Sequence, residues 1–480
     1  MDTGPATSDV RITHEAVDFA TALRFGDIPP DAVHLARRCV LDGLAVMLAG
    51  SEQPALEVME RYIDKVGGMP DSRLLGFAAR RVPAHLAALW HGLAGHAMDW
   101  DDTQLAENEG RAYGLLTHPS IPPLAACLAI SDMVGGVDGE RFLTAFVAGF
   151  EVECKIAEAI NPDHYMKGFH SSGTMGTFGS AIAAAKLLGL EASAMACAVG
   201  IAASMASGIR VNFGTMTKPL HVGRSSENGV TAALLAGEGF TANEEALDGE
   251  WGFFSVAGRG GNPELVAGRF GAPLSIASPG VSIKPYPCGV LTHPTMDAML
   301  KLMRDNALKP DDIERVTLYA GSNILGPIRF EIANSELEGK FCMAFLLAAI
   351  IVAGKAGKAE FTDAFVLSDV VQDMQRRVST SFDAEIEAQG WDRIRSRVEA
   401  WTRDGRHLVQ EADENYRGGP HNPMSDAEVE GKFRDCAVGL LDEAAIGRVF
   451  EAVWGLESLA DAGELLTLLD WRGDGAEELG

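Results

Sequence analysis

The octapeptide His96-Ala97-Met98-Asp99-Trp100-Asp101-Asp102-Thr103 decides how the chain is read, because it leaves a helical pattern over 83–98 and enters a loop loaded with carboxylates. After a polar, glycine-containing interval comes Thr117-His118-Pro119-Ser120. Three carboxylates within four residues repel one another, and partial burial would raise the pKa of at least one, a condition suited to proton transfer. The same cluster also suits an exposed cap and turn, so the stretch offers a candidate site at a helix end.

Working outward, helical patterns near 55–66, 121–135 and 139–160, from Gly176 to Leu188, and from Glu191 through Gly208 flank that helix. Another starts at Pro29-Pro30-Asp31, with Asp31 as N-cap, and stops at Gly50 as C-cap. Their apolar faces are wide and alanine-rich, which predicts a bundle whose helices are buried on several sides.

The texture changes near Ala272. Ser275 to Lys284 alternates and predicts an extended segment, Arg315 to Ala320 predicts a strand, and 394–401 turning at Asp404-Gly405 into His407–Val409 predicts a hairpin. Helices are expected at about 293–305 and 335–354, and Ser425-Asp426-Ala427-Glu428 is a capping box that opens a helix through Cys436. The expected fold is therefore mainly α: a helical domain built from both chain ends (1–273 and 411–480) around a smaller inserted α+β domain (274–410). The last ten residues read as a polar tail.

A chain of 480 residues with 47% hydrophobic and 22% charged residues is globular in composition and long enough for two cores. Its formal charge of −27 argues against nucleic-acid or anionic-membrane partners, which need a basic face. Seven scattered cysteines without a C-x-x-C pair fit a reducing cytoplasm. Met1 to Val10 shows no signal pattern, and no apolar run is long enough for a bilayer.

Against this acidic background, basic loops suggest an anionic ligand. Lys167-Gly168-Phe169-His170 leads into a run with glycines at 173, 176 and 179 on one helical face, which suits close helix packing or a carboxylate held at a helix N-terminus. Its spacing is not a dinucleotide fingerprint. Lys218, His221 and Arg224 place two cations and an imidazole within seven residues, as an anion pocket or a solvated loop would. Lys284-Pro285-Tyr286-Pro287 stiffens a loop from which Lys284 could enter a cleft. Cys288, without a base partner, reads as a small buried residue. A magnesium site at the carboxylates, as in a metal-dependent hydrolase, is the lesser alternative, because no second acidic cluster is obvious nearby in sequence, and no metal is expected.

Together, His96-x-x-Asp99-x-Asp101-Asp102-Thr103, His118-Pro119-Ser120, Gly168-Phe169-His170, Lys218 with His221 and Gly223, and Lys284-Pro-Tyr-Pro with His293 resemble the MmgE/PrpD family over nearly the whole chain. Its members dehydrate 2-methylcitrate, decarboxylate cis-aconitate or epimerise iminodisuccinate. The resemblance implies a helical domain made from both chain ends with an inserted α+β lid, a homodimer, and a cofactor-free cleft at the domain boundary. It places Asp99, Thr103, His118, His170, Lys218 and Lys284 in the pocket. The interval between Thr103 and His118, with Glu107, Glu109, Arg111 and Tyr113, is longer than in the decarboxylase branch.

The implied chemistry moves a proton at a carbon next to a carboxylate of a small polycarboxylate. Expected roles are catalytic for Asp99, His118, His170 and Lys218. Substrate binding is expected of Thr103, Lys284, His221, Arg224 and Tyr286, with Asp101 and Asp102 in support. Dehydration of a 2-methylcitrate-like hydroxy acid leads the expectation. Decarboxylation of a cis-aconitate-like acid, epimerisation of an iminodisuccinate-like acid, and a non-catalytic small-molecule binder are the alternatives.

Overall fold

A computed structural model describes residues 11–105, 115–390 and 393–472. Glu107, Glu109, Arg111, Tyr113, the first ten residues and most of the polar tail lie outside them. The longer helices are α1 (Ile12–Ala22), α2 (Pro30–Ser51), α3 (Pro54–Val66), α4 (Ala84–Ala97), α5 (Ile121–Val134), α6 (Gly139–Ile160), α7 (Ser171–Leu187), α8 (Ala192–Met205) and α9 (Thr217–Gly237). After these come α10 (His293–Asp305), α11 (Met343–Ala353), α12 (Asp369–Arg376), α13 (Asp426–Ala437) and α14 (Glu443–Trp454). The molecule is mainly helical, with small sheets.

Helices α4, α5 and α7 are buried around nearly their whole circumference, as their Ala- and Gly-rich sequences demand. By contrast α3 buries only Leu56 and Ile63 and lies on the surface. The sequence placed Asp31 at the N-cap of α2 and Gly50 at its C-cap; instead Pro29 occupies the cap, and Pro30 takes the first helical position its fixed φ suits. Gly50 stays inside the helix because a Cβ there would sit 1.8 Å from the Ala94 carbonyl oxygen, so its role is contact with α4.

The α4–α9 crossing positions the site. A Cβ on Gly92 would lie 3.0 Å from Gly223 Cα, and one on Gly223 would lie 2.7 Å from the Leu89 oxygen, so the two antiparallel helices touch at their backbones. One turn further along, this contact brings His96 at the end of α4 against Lys218 at the start of α9.

Two hairpins, β1 (Ser72–Leu74) with β2 (Phe77–Val82) and β3 (Gln104–Leu105) with β4 (Leu115–Thr117), accompany the helices. The main sheet comprises β5 (Ile313–Ala320), β6 (Val378–Phe382), β7 (Ser396–Thr402) and β8 (His407–Glu411) in the order β6-β5-β7-β8. Only the β5–β6 pair is parallel. Helix α10 covers β7 and β8, α11 packs on β6, and α13 returns to α2.

Two expectations for this region change. Ser275–Lys284 folds as turns rather than a strand, and within it Ser282 alone makes a β-bridge, to Thr103. The helix expected over 335–354 breaks into Glu336–Gly339 and α11, because Cys342 is extended at the N-cap of α11. The capping box at Ser425 and Glu428 forms as read.

Candidate active site

Helix α4 ends at Ala97, and two residues later Asp99 takes the left-handed conformation (φ 54°), a position usually left to glycine. The turn is held from outside. Lys340 Nζ donates to the Ala97 oxygen at 3.0 Å, Lys284 Nζ to the Asp99 oxygen at 2.8 Å, and Lys432 Nζ to the Trp100 oxygen at 2.8 Å. Carbonyls left open at a helix C-terminus attract cations, and here three lysines from distant parts of the chain converge on one turn.

The same turn carries the carboxylates. Asp99 Oδ1 is 2.7 Å from Lys284 Nζ, and its Oδ2 is 2.9 Å from Lys218 Nζ. Lys218 also donates to His96 Nε2 at 3.0 Å, and His96 Nδ1 is 2.8 Å from Asp101 Oδ2. His118 Nδ1 stands 3.2 Å from that same oxygen. The His96 ring lies 4.7 Å from His118 and 5.4 Å from His170, centroid to centroid.

Burial alone would raise the Asp99 carboxyl, but the Lys218 and Lys284 ammoniums, followed by His96 and His118, outweigh it and hold it well below the usual range. Asp101 likewise stays low against its burial through His96 and His118. Burial pushes the imidazoles down: His96 to about 3, against the pull of Asp101; His118 lower than usual; and His170 well below, helped by His96 and Lys218. The network thus sets the Asp99 and Asp101 carboxylates against the side chains of Lys218 and Lys284, with the His96 and His118 rings between them.

A narrow cavity opens on this network. Its polar lining comprises Asp99, Thr103, His118, His170, Lys218 and Lys284, and its apolar lining includes Phe213, Leu291, Ile324, Ile328 and Phe341; Phe213 packs beside both His170 and Lys218. Thr103 Oγ1 and His170 Nε2 are buried without a hydrogen-bond partner among the described residues, so both are open to a ligand. Thr103 is fixed by backbone bonds with Ser282, 3.0 Å and 2.8 Å long.

Three residues expected to bind substrate lie elsewhere. His221 stands behind His170. Arg224 is half exposed and pairs with Glu227 at 2.6 Å, because six residues from Lys218 carry it to another face of α9. The Tyr286 hydroxyl donates to Asp297 at 2.6 Å. Asp102 turns away from the cavity to Ser120, and burial raises its carboxyl to about 7 despite the Ser120 hydrogen bonds. Conversely, Lys340 and Tyr165 line the cavity although no motif singled them out, and Phe213, just ahead of Lys218, lines it too. The lone basic residue just before the apolar run 341–353 was the available signal for Lys340.

The side chains of His96, His118 and His170 bring ligand atoms within 4.8 Å of one another, as do His96, Asp99, Asp101 and His118. A metal ion there would face the Lys218 ammonium, already 3.0 Å from His96 and 2.9 Å from Asp99. The charge arrangement suits an anion better than a cation.

A mainly helical chain whose ion-paired site gathers lysines from both parts of the sequence fits a two-part family pattern. Residues 14–266 match the MmgE/PrpD N-terminal domain and residues 286–456 the MmgE/PrpD C-terminal domain, so the chain belongs to the MmgE/PrpD family. Among similar proteins, cis-aconitate decarboxylase of Homo sapiens is 28% identical over 94% of this chain and 93% of its own length. Cis-aconitate decarboxylase of Aspergillus terreus is 27% identical, covering 96% of each chain. The cis-aconitate decarboxylase-like protein oryM of Aspergillus oryzae is 27% identical over 98% of this chain and 99% of its own. All seven cysteines are free and buried, and among the described residues no helix is long and apolar enough to cross a membrane.

Proposed function

We propose that the protein is a lyase that works without metal or organic cofactor on a small polycarboxylate, and that its reaction is decarboxylation of a cis-aconitate-like acid. The observation that carries the reading is the bridging of Lys218 and Lys284 by Asp99 beside His118 and His170 in one cavity. The names of the full-length relatives favour decarboxylation over the dehydration expected from the sequence.

In this reading substrate carboxylates take the free N–H positions of Lys218 and Lys284. Carbon dioxide leaves, the electron pair of the broken C–C bond moves through the double bond, and one proton is added to carbon. Lysine ammoniums next to the remaining carboxylates stabilise the enolate-like charge. His118 supplies the proton, with Asp101 at 3.2 Å supporting its charged form. Asp99, tied to two ammoniums, acts as their anchor rather than as a base.

Dehydration keeps one specific support: the unpartnered Thr103 hydroxyl and His170 Nε2 are donors that a departing hydroxide would need. Proton NMR in deuterated buffer with cis-aconitate, 2-methylcitrate and iminodisuccinate separates the reactions. Release of carbon dioxide with entry of one deuteron is expected; loss of water or inversion with exchange would replace decarboxylation by dehydration or epimerisation. Absence of turnover on every polycarboxylate would leave the binder alternative. We also propose a cytoplasmic homodimer in which 274–410 forms a lid over the helical part, testable by sedimentation and by protease protection on ligand binding.

A further inference from the structure

His221 lies one helical turn after Lys218 on α9, and its Nδ1 is 3.1 Å from Nδ1 of His170. The ring is closely packed. A Cβ on Gly173 would lie 3.0 Å from His221 Cβ, and one on Gly208 would lie 3.2 Å from its Cγ, so glycines flank it where any side chain would crowd it. On the far side of His170, Nε2 is buried and has no partner among the described residues, in a residue that lines the cavity.

Two ring nitrogens at this separation share one hydrogen, because two lone pairs would repel and two N–H groups would collide. Burial pushes His170 well below its usual pKa and His221 to about 4, so both rings are neutral at neutral pH. A neutral imidazole carries one N–H, and the owner of the shared hydrogen therefore dictates which nitrogen His170 turns to the cavity protonated. With Lys218 and Lys284 drawing an anion into that cavity, a lone pair at Nε2 would meet substrate oxygens with repulsion, whereas an N–H would bind them.

We propose that His221 is a positioning residue that fixes the tautomer of His170: His221 donates its Nδ1–H to His170 Nδ1, so His170 presents Nε2–H to the substrate as a neutral hydrogen-bond donor rather than as a base. The proposal rests on the lyase reading and divides the labour between the histidines. His118, backed by a carboxylate, carries the proton, while His170, backed by an imidazole, steadies negative charge on the intermediate without losing its own.

Nitrogen-15 NMR of the full chain with labelled histidine tests it directly, with His170 assigned by the signal lost in His170→Gln. Protonated Nε2 and bare Nδ1 at His170 are expected, and the opposite tautomer overturns the proposal. Kinetics give an independent arm. His221→Asn, whose amide N–H can replace Nδ1–H, should keep kcat within about threefold, whereas His221→Leu should lose roughly 10- to 100-fold in kcat with little change in KM. His221→Asp, which accepts instead of donating, should reverse the tautomer and lose at least as much as His221→Leu. An active His221→Asp, or a His221→Asn as impaired as His221→Leu, refutes the assignment. If the leucine variant does not fold, the Asn and Asp pair and the wild-type spectrum still decide. If no polycarboxylate is turned over, the lyase reading fails, and the wild-type spectrum alone judges the tautomer.

Discussion

Lys284 holds Asp99 twice, through the main-chain oxygen at 2.8 Å and through Oδ1 at 2.7 Å. One side chain thus fixes both the backbone turn and the carboxylate orientation. Lys284→Met should lower turnover by about 100- to 1,000-fold and destabilise the fold by roughly 3 kcal/mol, since it leaves a buried carboxylate short of a partner. Steady-state kinetics and a chemical melt read the two effects separately; full activity would remove Lys284 from the substrate site.

Asp99 tests charge and backbone apart. At φ 54° asparagine is tolerated better than alanine. Asp99→Asn should therefore fold more stably than Asp99→Ala, by about 1 kcal/mol, although both lose most activity. Equal melting of the two variants would mean that the left-handed turn carries no strain.

Asp102 makes stability depend on pH. Its carboxyl rises from 3.8 to about 7 in the folded protein, so the native state keeps a proton that the unfolded chain gives up. This contribution is complete below pH about 4 and is lost as pH rises toward 7, amounting to up to roughly 4 kcal/mol. Asp102→Asn, which keeps partners for Ser120, should melt higher than wild type at pH 8 and nearly level with it at pH 4. A constant difference at both pH values would refute the assignment.

Substrate binding should take up protons. Burial and then the nearby lysines lower His118 despite Asp101, and a polyanion entering the cavity opposes that shift. Calorimetry in buffers of different ionisation enthalpy should show net uptake at pH 7.5, and kcat/KM should fall as pH rises. Proton release on binding would exclude His118 as the donor.

Gly50→Ala tests the helix contact. Alanine favours an isolated helix by about 1 kcal/mol, but here the methyl would sit 1.8 Å from the Ala94 oxygen and force α2 from α4. A lower melting temperature is expected; a higher one would show that the helices separate readily.

Most helices were legible because burial on all sides leaves a dense apolar signature, as in α5 and α7. What escaped depended on neighbours distant in sequence. Val378–Phe382 lacks turn signals and becomes a strand only through pairing with Ile313–Ala320. Ser275–Lys284 alternates like a strand, yet its backbone bonds are mostly local turns, and within it only Ser282 forms a β-bridge. The pocket positions Asp99, Thr103, His118, His170, Lys218 and Lys284 were legible as motifs and do converge. Arg224 was read into the pocket from its closeness in sequence to Lys218, but helix geometry turns it to Glu227; His221, one turn after Lys218, reaches the site only through His170.

The backbone bridge between Thr103 and Ser282 has a consequence for redesign. It ties the helix-end turn to the segment that delivers Lys284, so the Thr103 hydroxyl, the Asp99 carboxylate and the Lys284 side chain are positioned as one unit. Leu291, Ile324 and Ile328 line the same cavity without carrying charge, so changes of cavity shape are best sought there, with that unit left in place.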